Sequence, residues 1–299
     1  MARRKRGQAI DGWLIVDKPE GVTSTQVVGR ARWAFDAQKA GHAGTLDPLA
    51  TGLLAVALGE ATKTVPYAQE GLKTYRFTLR WGEATTTDDR EGEVFARSAH
   101  RPGVDDILAV LPEFIGDVMQ TPPMFSAIKV SGARAYDLAR RGEDVALAAR
   151  PIFIETLSLV DAPDADHAVF EMVCGKGGYV RAVARDLGEA LGTRAHVTAL
   201  RRVASGGFSL ADAVGLEALE GFRGDPAASA RLLPVSAGLA GAPCVEVGPE
   251  AAARLSAGDG SAAPLLDAPV YWAAAAGVPV AILGCEGGET KIRRVFRFS

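Results

Sequence analysis

The sequence predicts an α+β protein with a mixed, largely antiparallel sheet flanked by helices, and a small β-rich domain at the C-terminus. Strands and helices alternate irregularly, unlike the regular alternation of a parallel β/α array, and hairpin-like pairs such as Ile152–Val160 with Ala168–Cys174 occur. After a segment typical of a linker, Ala237–Pro243, about 55 residues carry short strand signals, too few to bury a core alone. We therefore expect the C-terminal part to pack on the main domain.

The N-terminal elements follow from apolar patterning. Gly12–Asp17 predicts a buried strand that stops at Lys18 and Pro19. Ser24 is expected to cap a helix that continues to about Ala37. One face of that helix would carry Val27, Ala31, Ala34 and Phe35.

The remaining elements rest on the same signals. Gly41–Gly52 and Thr85–Gly92 predict loops, whereas the apolar run Leu53–Leu58 fits either a strand or a helix. Alternation of Tyr75, Phe77, Leu79 and Trp81 with polar residues predicts a strand with one buried face. Helices are predicted at Asp105–Ile115, Arg134–Arg141 and Tyr179–Leu191, and further strands at Ser126–Val130, Val245–Val247, Val278–Leu283 and Ile292–Phe298.

Composition excludes several functional classes. The chain has 299 residues, 48% of them hydrophobic and 23% charged, and no apolar run long enough for a transmembrane span is present. No apolar stretch follows the basic start, so we expect no secretory signal. The three cysteines form no C-x-x-C pair, the four histidines no H-E-x-x-H, and no glycine-rich phosphate motif occurs. We therefore expect a cytoplasmic protein with no metal and no cofactor.

Positive charge is concentrated in two segments of a chain whose net charge is −3. Residues 1–40 carry eight Lys and Arg against four Asp and Glu, and residues 176–202 carry six against two. This distribution fits contact with phosphates, and fits equally well chance clustering together with a basic N-terminal arm at residues 1–10 that we expect to be flexible.

The segment Gly41–Gly52, GHAGTLDPLATG, is the strongest candidate for chemistry. Its glycines permit close approach of the backbone to a ligand, and Pro48 restricts Asp47 to an extended conformation. A carboxylate is thus presented from a stiff loop. Taken alone, the pattern also fits an ordinary Asp-Pro turn in which the carboxylate bonds to local backbone.

This segment, extended to GHAGTLDPLATGLL, resembles the signature of the bacterial tRNA pseudouridine-55 synthases, the TruB family. The resemblance runs from Gly12 to Arg202 and more weakly beyond. Two segments depart from the family pattern: His42–Asp47 reads HAGTLD where H-T-G-A-L-D is common, and Gly175–Arg181 reads GKGGYVR where S-K-G-T-Y-I-R is common. Further similar segments are Leu14–Pro19, Gly59–Lys63, Lys73–Arg76, Pro122–Lys129, Gly175–Arg181 and Leu200–Arg202.

The resemblance implies roles for individual residues. Asp47 matches the catalytic aspartate, and Arg181 matches its arginine partner, whose charge favours an ionised carboxylate. Tyr75 matches the tyrosine that stacks on the target base. Tyr179 and Leu200 match residues that line the pocket, although the pattern alone favours a core position for these two and strongly supports one for Tyr75 as well. His42 matches the residue that fills the space left by the flipped base, and Lys18 with Pro19 would shape the pocket floor or edge.

The resemblance also implies the domain plan and the partners. Residues 11–237 would form the catalytic domain, with a sheet of pseudouridine synthase type, and residues 243–299 a PUA-like domain that either contacts RNA or only caps the fold. The expected partner is the T-arm of tRNA, with no membrane and no obligatory protein partner, and the chain is expected to be a monomer. The alternatives are a guide-RNA-dependent relative, a non-catalytic tRNA-binding or folding module, and a metal-dependent hydrolase.

Overall fold

The computed structural model describes residues 7–125 and 147–298, and the backbone of two short strands at 129–130 and 133–134. Most of the predicted basic arm lies outside these residues. So do the predicted strand at Ser126–Val130, apart from its last two residues, and the predicted helix at Arg134–Arg141, apart from Arg134, which ends a short strand. Among the described residues, no helix combines the length and the apolar character needed to cross a bilayer.

The described elements are mainly strands. The α-helices are α1 (Ser24–Ala34), α2 (Val65–Ala68), α3 (Val104–Val110), α4 (Val180–Ala190) and α5 (Pro249–Ser256). The strands are β1 (Gly12–Lys18), β2 (Ala40–His42), β3 (Thr51–Leu58), β4 (Lys73–Trp81), β5 (Glu83–Thr85), β6 (Val94–Arg97), β7 (Gly116–Gln120), β8 (Lys129–Val130), β9 (Ala133–Arg134), β10 (Arg150–Asp164), β11 (His167–Cys174), β12 (Ala195–Ser205), β13 (Phe208–Ser209), β14 (Val214–Gly215), β15 (Cys244–Glu246), β16 (Tyr271–Ala275), β17 (Val278–Glu286) and β18 (Glu289–Val295).

Tertiary contacts divide the chain into two compact units. The first unit runs up to Gly71 and resumes at Ala204, and the second is Leu72–Val203. The predicted domain limits at residues 10, 237 and 243 stay predictions.

The sheet of the first unit is built on an antiparallel pair. β1 pairs with β3 from Gly12 opposite Leu58 to Lys18 opposite Gly52. β2 extends β3 on its other side, antiparallel, and β14 lies parallel to β1. Seven of the eight residues of β3 are buried, which explains why periodicity could not assign this run.

The first unit also contains the C-terminal sheet, in the order β15, β16, β17, β18, with only the first pair parallel. Its small core includes Leu255 and Tyr271. Ile282 and Phe296 pack into the same cluster as Trp13 of β1, which confirms that this β-rich part docks on the N-terminal elements of its unit.

The sheet of the second unit has the order β12, β4, β11, β10, β7. The pairs β4 with β11, β11 with β10, and β10 with β7 are antiparallel. The alternation predicted for β4 is confirmed because Phe77, Leu79 and Trp81 are buried. Phe170 of β11 lies 5.6 Å from Phe77 and 6.3 Å from Trp81, between ring centroids. This aromatic cluster is the centre of the second core.

Several element boundaries differ from the sequence predictions. The cap of α1 is Thr23 rather than Ser24, because the Thr23 hydroxyl accepts from Gln26 N and the Gln26 side chain accepts from Thr23 N. The helix ends at Ala34, short of Ala37, since Asp36 adopts a left-handed φ of 47°.

Two further boundaries shift for local reasons. The helix predicted at Asp105–Ile115 becomes α3 followed by a 3-10 turn, Leu111–Phe114, because Pro112 has no N–H to donate. The loop predicted at Gly41–Gly52 is shorter, because β2 continues to His42 and β3 begins at Thr51.

Gly238 provides a test of the packing against β1. A Cβ at this position would collide with Thr64 Oγ1 and would lie 2.7 Å from the Trp13 ring. Overpacking of this kind costs about 1–3 kcal/mol, so Gly238→Ala should lower the free energy of unfolding by that amount. Gly241→Ala is the control, because nothing lies within 4 Å of its Cβ position. Equal urea midpoints for the two variants would contradict the packing described.

Candidate active site

Asp47 lies in the turn between β2 and β3, half-buried. The turn is closed by Ala50 N, which donates to Asp47 O at 3.1 Å. Gly44 and Gly52 flank it with φ of 89° and 96°, a conformation that side-chain-bearing residues rarely adopt. Pro48 restricts Asp47 from the other side. The carboxylate is therefore carried by a short, conformationally restricted turn.

Lys18 secures this turn from the end of β1. Its side chain is fully buried, and its Nζ donates to three carbonyl oxygens: Pro19 at 2.9 Å, Val22 at 2.6 Å and Pro48 at 3.2 Å. Gly21 N also donates to Pro48 O, at 2.8 Å. The buried ammonium thus ties the segment after β1 to the carbonyl group of Pro48, the residue that follows Asp47. The structure brings Lys18 and Pro19 to the turn that carries Asp47.

The peptides on the other side of the turn are held by helix α1. Ser24, which is 3% exposed, accepts from Leu46 N at 2.9 Å and donates to Leu46 O at 3.0 Å. His42 is the last residue of β2, opposite Val56, and is half-buried. Ala43 N then donates to Ala55 O at 2.9 Å, so the strand pairing continues almost to the turn.

Tyr75 and Leu200 lie on strands of the second unit. Tyr75 is half-buried in β4 opposite Met172, on the strand face that also carries Phe77. Leu200 lies in β12 and is 8% exposed. Both positions suit the wall of a partly buried pocket, but they also suit the core.

Tyr179 immediately precedes α4, and Gln120 fixes its backbone. The Gln120 side chain accepts from Tyr179 N at 2.9 Å and donates to Tyr179 O at 3.1 Å. The guanidinium carbon of Arg150 lies 5.5 Å from the centroid of the Tyr179 ring. These contacts position both the ring and the start of the helix.

Arg181, in the first turn of α4, is buried together with a carboxylate. Its Nη1 lies 3.4 Å from Asp89 Oδ2, and the two side chains are 5% and 3% exposed. The guanidinium also donates to Thr87 O at 3.1 Å and to Phe125 O at 2.9 Å. Glu91 N donates to Asp89 Oδ1 at 3.0 Å. The orientation of Arg181 is thus fixed within its own unit.

A second ion pair lies one helical turn further along α4. Arg185 Nη1 is 3.2 Å from Asp88 Oδ2, and Arg185 Nη2 donates to Thr121 O at 2.8 Å. Burial raises the pKa of Asp88 to about 6, although the charges of Arg185 and Arg181 oppose the increase. The loop predicted at Thr85–Gly92 is therefore tied to α4 by two adjacent aspartates.

The sequence did not identify Asp89 or Asp88 as site residues. Both belong to the polar run TTTDDREG, in which nothing distinguishes a buried carboxylate from a solvated one. Arg202 is 1% exposed and so is closed to an RNA phosphate, whereas its neighbour Arg201 is half-buried. In the part of the chain that the structure describes, no group of three or more His, Cys, Asp or Glu side chains could hold a metal ion.

Solved structures share this fold. A crystal structure of a Cbf5–Nop10–Gar1 complex matches with a TM-score of 0.75 at 22% identity, over 96% of this chain and 85% of that chain. The structure of an H/ACA RNP bound to a substrate RNA containing 2′-deoxyuridine matches with a TM-score of 0.73 at 20% identity, over 99% and 92%. Identities this low define the fold alone, and they place the chain among proteins with the fold of Cbf5.

Sequence comparisons are more specific. The family model for the N-terminal domain of TruB family pseudouridylate synthases matches residues 32–180, and the model for the C-terminal domain of tRNA pseudouridylate synthase B matches residues 181–240. The tRNA pseudouridine synthase B of Dinoroseobacter shibae is 53% identical over 99% of each chain. That of Caulobacter vibrioides is 57% identical over 86% of this chain and 83% of its own. The chain belongs to the TruB family of pseudouridylate synthases, which confirms the predicted family, fold and enzyme class.

Asp88 makes the stability of the protein depend on pH. Its pKa in the folded protein, about 6, lies above the ordinary value of 3.8. The stability that Asp88 contributes to the folded protein is therefore complete below about pH 4, where its carboxyl is protonated, and is lost as the pH rises through 6. Asp88→Asn removes the titration and keeps an acceptor for Arg185. The free energy of unfolding of the variant, relative to the wild type, should increase by about 2–3 kcal/mol between pH 4 and pH 7.5.

The control is Asp36→Asn. Asp36 is another aspartate with a positive φ, 47° against 59° for Asp88, but its side chain is half exposed. Asp36→Asn measures how replacing aspartate by asparagine in this backbone conformation, which asparagine tolerates well, changes the free energy of unfolding. Urea unfolding at several pH values measures both variants. A relative stability of Asp88→Asn that does not change with pH would contradict the assignment.

Proposed function

We propose that this chain isomerises the uridine at position 55, in the T-loop of tRNA, to pseudouridine, with Asp47 as the nucleophile. The observation that carries the proposal is the Asp47 turn, which presents one carboxylate and is held by Ser24 on one side and Lys18 on the other. Isomerisation breaks the N1–C1′ bond, rotates the base and joins C5 to C1′. A fixed carboxylate can attack C1′ or stabilise the separated sugar.

The other residues have roles in binding and in orientation. Tyr75 stacks on the target base, Tyr179 and Leu200 line the pocket, and Lys18 with Pro19 forms its edge. Arg181 is the cationic partner of the aspartate. The rigid contacts of Tyr179 with Gln120 and of Arg181 with Asp89 support roles that depend on a fixed orientation.

The base must leave the stack before it can react, at a cost of a few kcal/mol. We assign His42 to the space that the base vacates. Its place at the end of β2, five residues before Asp47, supports this role. Phosphate contact is assigned to Arg201 and not to the buried Arg202.

The substrate and the cellular setting are part of the proposal. The relatives that match over their full length carry the name tRNA pseudouridine synthase B, which supports tRNA as the substrate. The same likeness favours an enzyme that acts without a guide RNA over a guide-RNA-dependent relative. We propose that the chain works as a monomer in the cytoplasm, with no metal or organic cofactor.

Asp47→Asn should abolish turnover and leave tRNA binding intact, because the substitution keeps the shape of the side chain and removes its charge. Pseudouridine in an unmodified tRNA transcript, mapped by position, measures turnover, and filter binding measures affinity. Asp225→Asn is the matched control, since an asparagine there still caps its 3-10 turn. Pseudouridine formation by Asp47→Asn above trace level would refute the role of Asp47. Binding without turnover by the wild type would favour a non-catalytic module.

His42→Ala should slow turnover without changing how binding depends on salt, because a group that fills the stack carries no phosphate contact. Arg201→Ala should instead reduce the slope of log K against log salt by about one unit. A substrate whose target uridine is already unstacked should partly rescue His42→Ala in single-turnover assays, and should not rescue Asp47→Asn. Rescue of both variants, or of neither, would show that His42 has no role in flipping.

A further inference from the structure

Ser24 makes an unusual pair of contacts for a residue in the first turn of a helix. Its hydroxyl accepts a hydrogen bond from Leu46 N and donates one to Leu46 O, at 2.9 and 3.0 Å. A hydroxyl has one donor and two acceptor sites, so it can make both bonds at once. The contacts span 22 residues of sequence and therefore serve tertiary structure.

The helix itself does not require these contacts. The capping of α1 is performed by Thr23 and Gln26, which satisfy each other reciprocally. Ser24 is 3% exposed and points away from the cap toward the backbone of Leu46. The Ser24 hydroxyl is therefore not needed to cap the helix, and its bonds to Leu46 serve another purpose.

The purpose of these bonds follows from the position of Leu46, which directly precedes Asp47. Both peptide groups of Leu46 are fixed by Ser24, and the second of them is the peptide that joins Leu46 to Asp47. On the other side of Asp47, Pro48 O is held by Lys18 and Gly21. Ser24 is the member of this arrangement that belongs to a helix of three turns. It thus transfers the rigidity of α1 to the residue that carries the nucleophile.

We propose that Ser24 is a positioning residue that sets the direction of the Asp47 carboxylate for reaction at C1′. The proposal rests on the function proposed for Asp47. Displacement of a reacting group by about 1 Å costs up to about 100-fold in rate. The loss should therefore fall on the chemical step, while the affinity for tRNA, which other residues provide, stays the same.

The test compares Ser24→Ala with Ser24→Thr and Thr23→Ala. Ser24→Ala removes both bonds to Leu46, Ser24→Thr keeps the hydroxyl, and Thr23→Ala weakens the same helix end by removing its cap. Single-turnover rates are measured at saturating enzyme on unmodified tRNA, with affinity measured by filter binding. Thermal unfolding and circular dichroism establish the folded fraction, so that each rate refers to folded protein.

Ser24→Ala should lower the single-turnover rate by about 10- to 100-fold with no more than a twofold change in affinity. Ser24→Thr should recover most of that rate, and Thr23→Ala should lower the melting temperature without lowering the rate per folded molecule. Equal rates for Ser24→Ala and Thr23→Ala, or a loss of affinity that accounts for the slower rate, would overturn the proposal. An active Asp47→Asn protein would instead refute the role of Asp47, so the two failures are distinguishable.

Discussion

The Asp47 turn depends on the hydrogen bonds that the buried ammonium of Lys18 donates. The Lys18 Nζ donates to the carbonyl oxygens of Pro19, Val22 and Pro48, and thereby joins the end of β1 to the residue that follows Asp47. A charge moved out of water is costly unless it is fully hydrogen-bonded, so the surrounding chain must keep these acceptors in place. The acceptors that stabilise the ammonium therefore also fix the Asp47 turn.

The second unit also holds a buried cation, here paired with a buried carboxylate. The guanidinium of Arg181, at the start of α4, is held by the buried carboxylate of Asp89 and by the carbonyl oxygens of Thr87 and Phe125. Removal of one partner from such a pair leaves the other charge buried and costs several kcal/mol. Substitutions in either arrangement will therefore affect stability together with activity, and a loss of turnover is informative only when the folded fraction is known.

Patterns of apolar residues predicted several of the strands, but the almost completely buried β3 could not be told from a helix in this way. β4 was predicted from the alternation of apolar and polar residues, β1 from a short apolar run that ends at Lys18 and Pro19, and β10 with β11 as a hairpin-like pair. β12 was missed because it carries His196 and Arg202, both buried, and a pattern that treats polar residues as exposed excludes them from a core. The turn of Asp47 was recognised from local sequence, but the Arg181–Asp89 pair joins positions 92 residues apart and depends on the folded chain.

The contrast between Thr23 and Ser24 explains why local sequence rules stop short of the site. Either hydroxyl could cap α1 by the usual preference for Ser and Thr, and the sequence favoured Ser24. The structure gives the cap to Thr23, whose partner Gln26 lies three residues further along, and leaves Ser24 to bind Leu46. A cap is a short-range interaction that any helix can recruit, whereas a contact across 22 residues exists only when the turn before β3 is in place. Of these two consecutive residues, Thr23 thus stabilises the helix itself and Ser24 stabilises tertiary structure. The tertiary contact determines where the Asp47 carboxylate points.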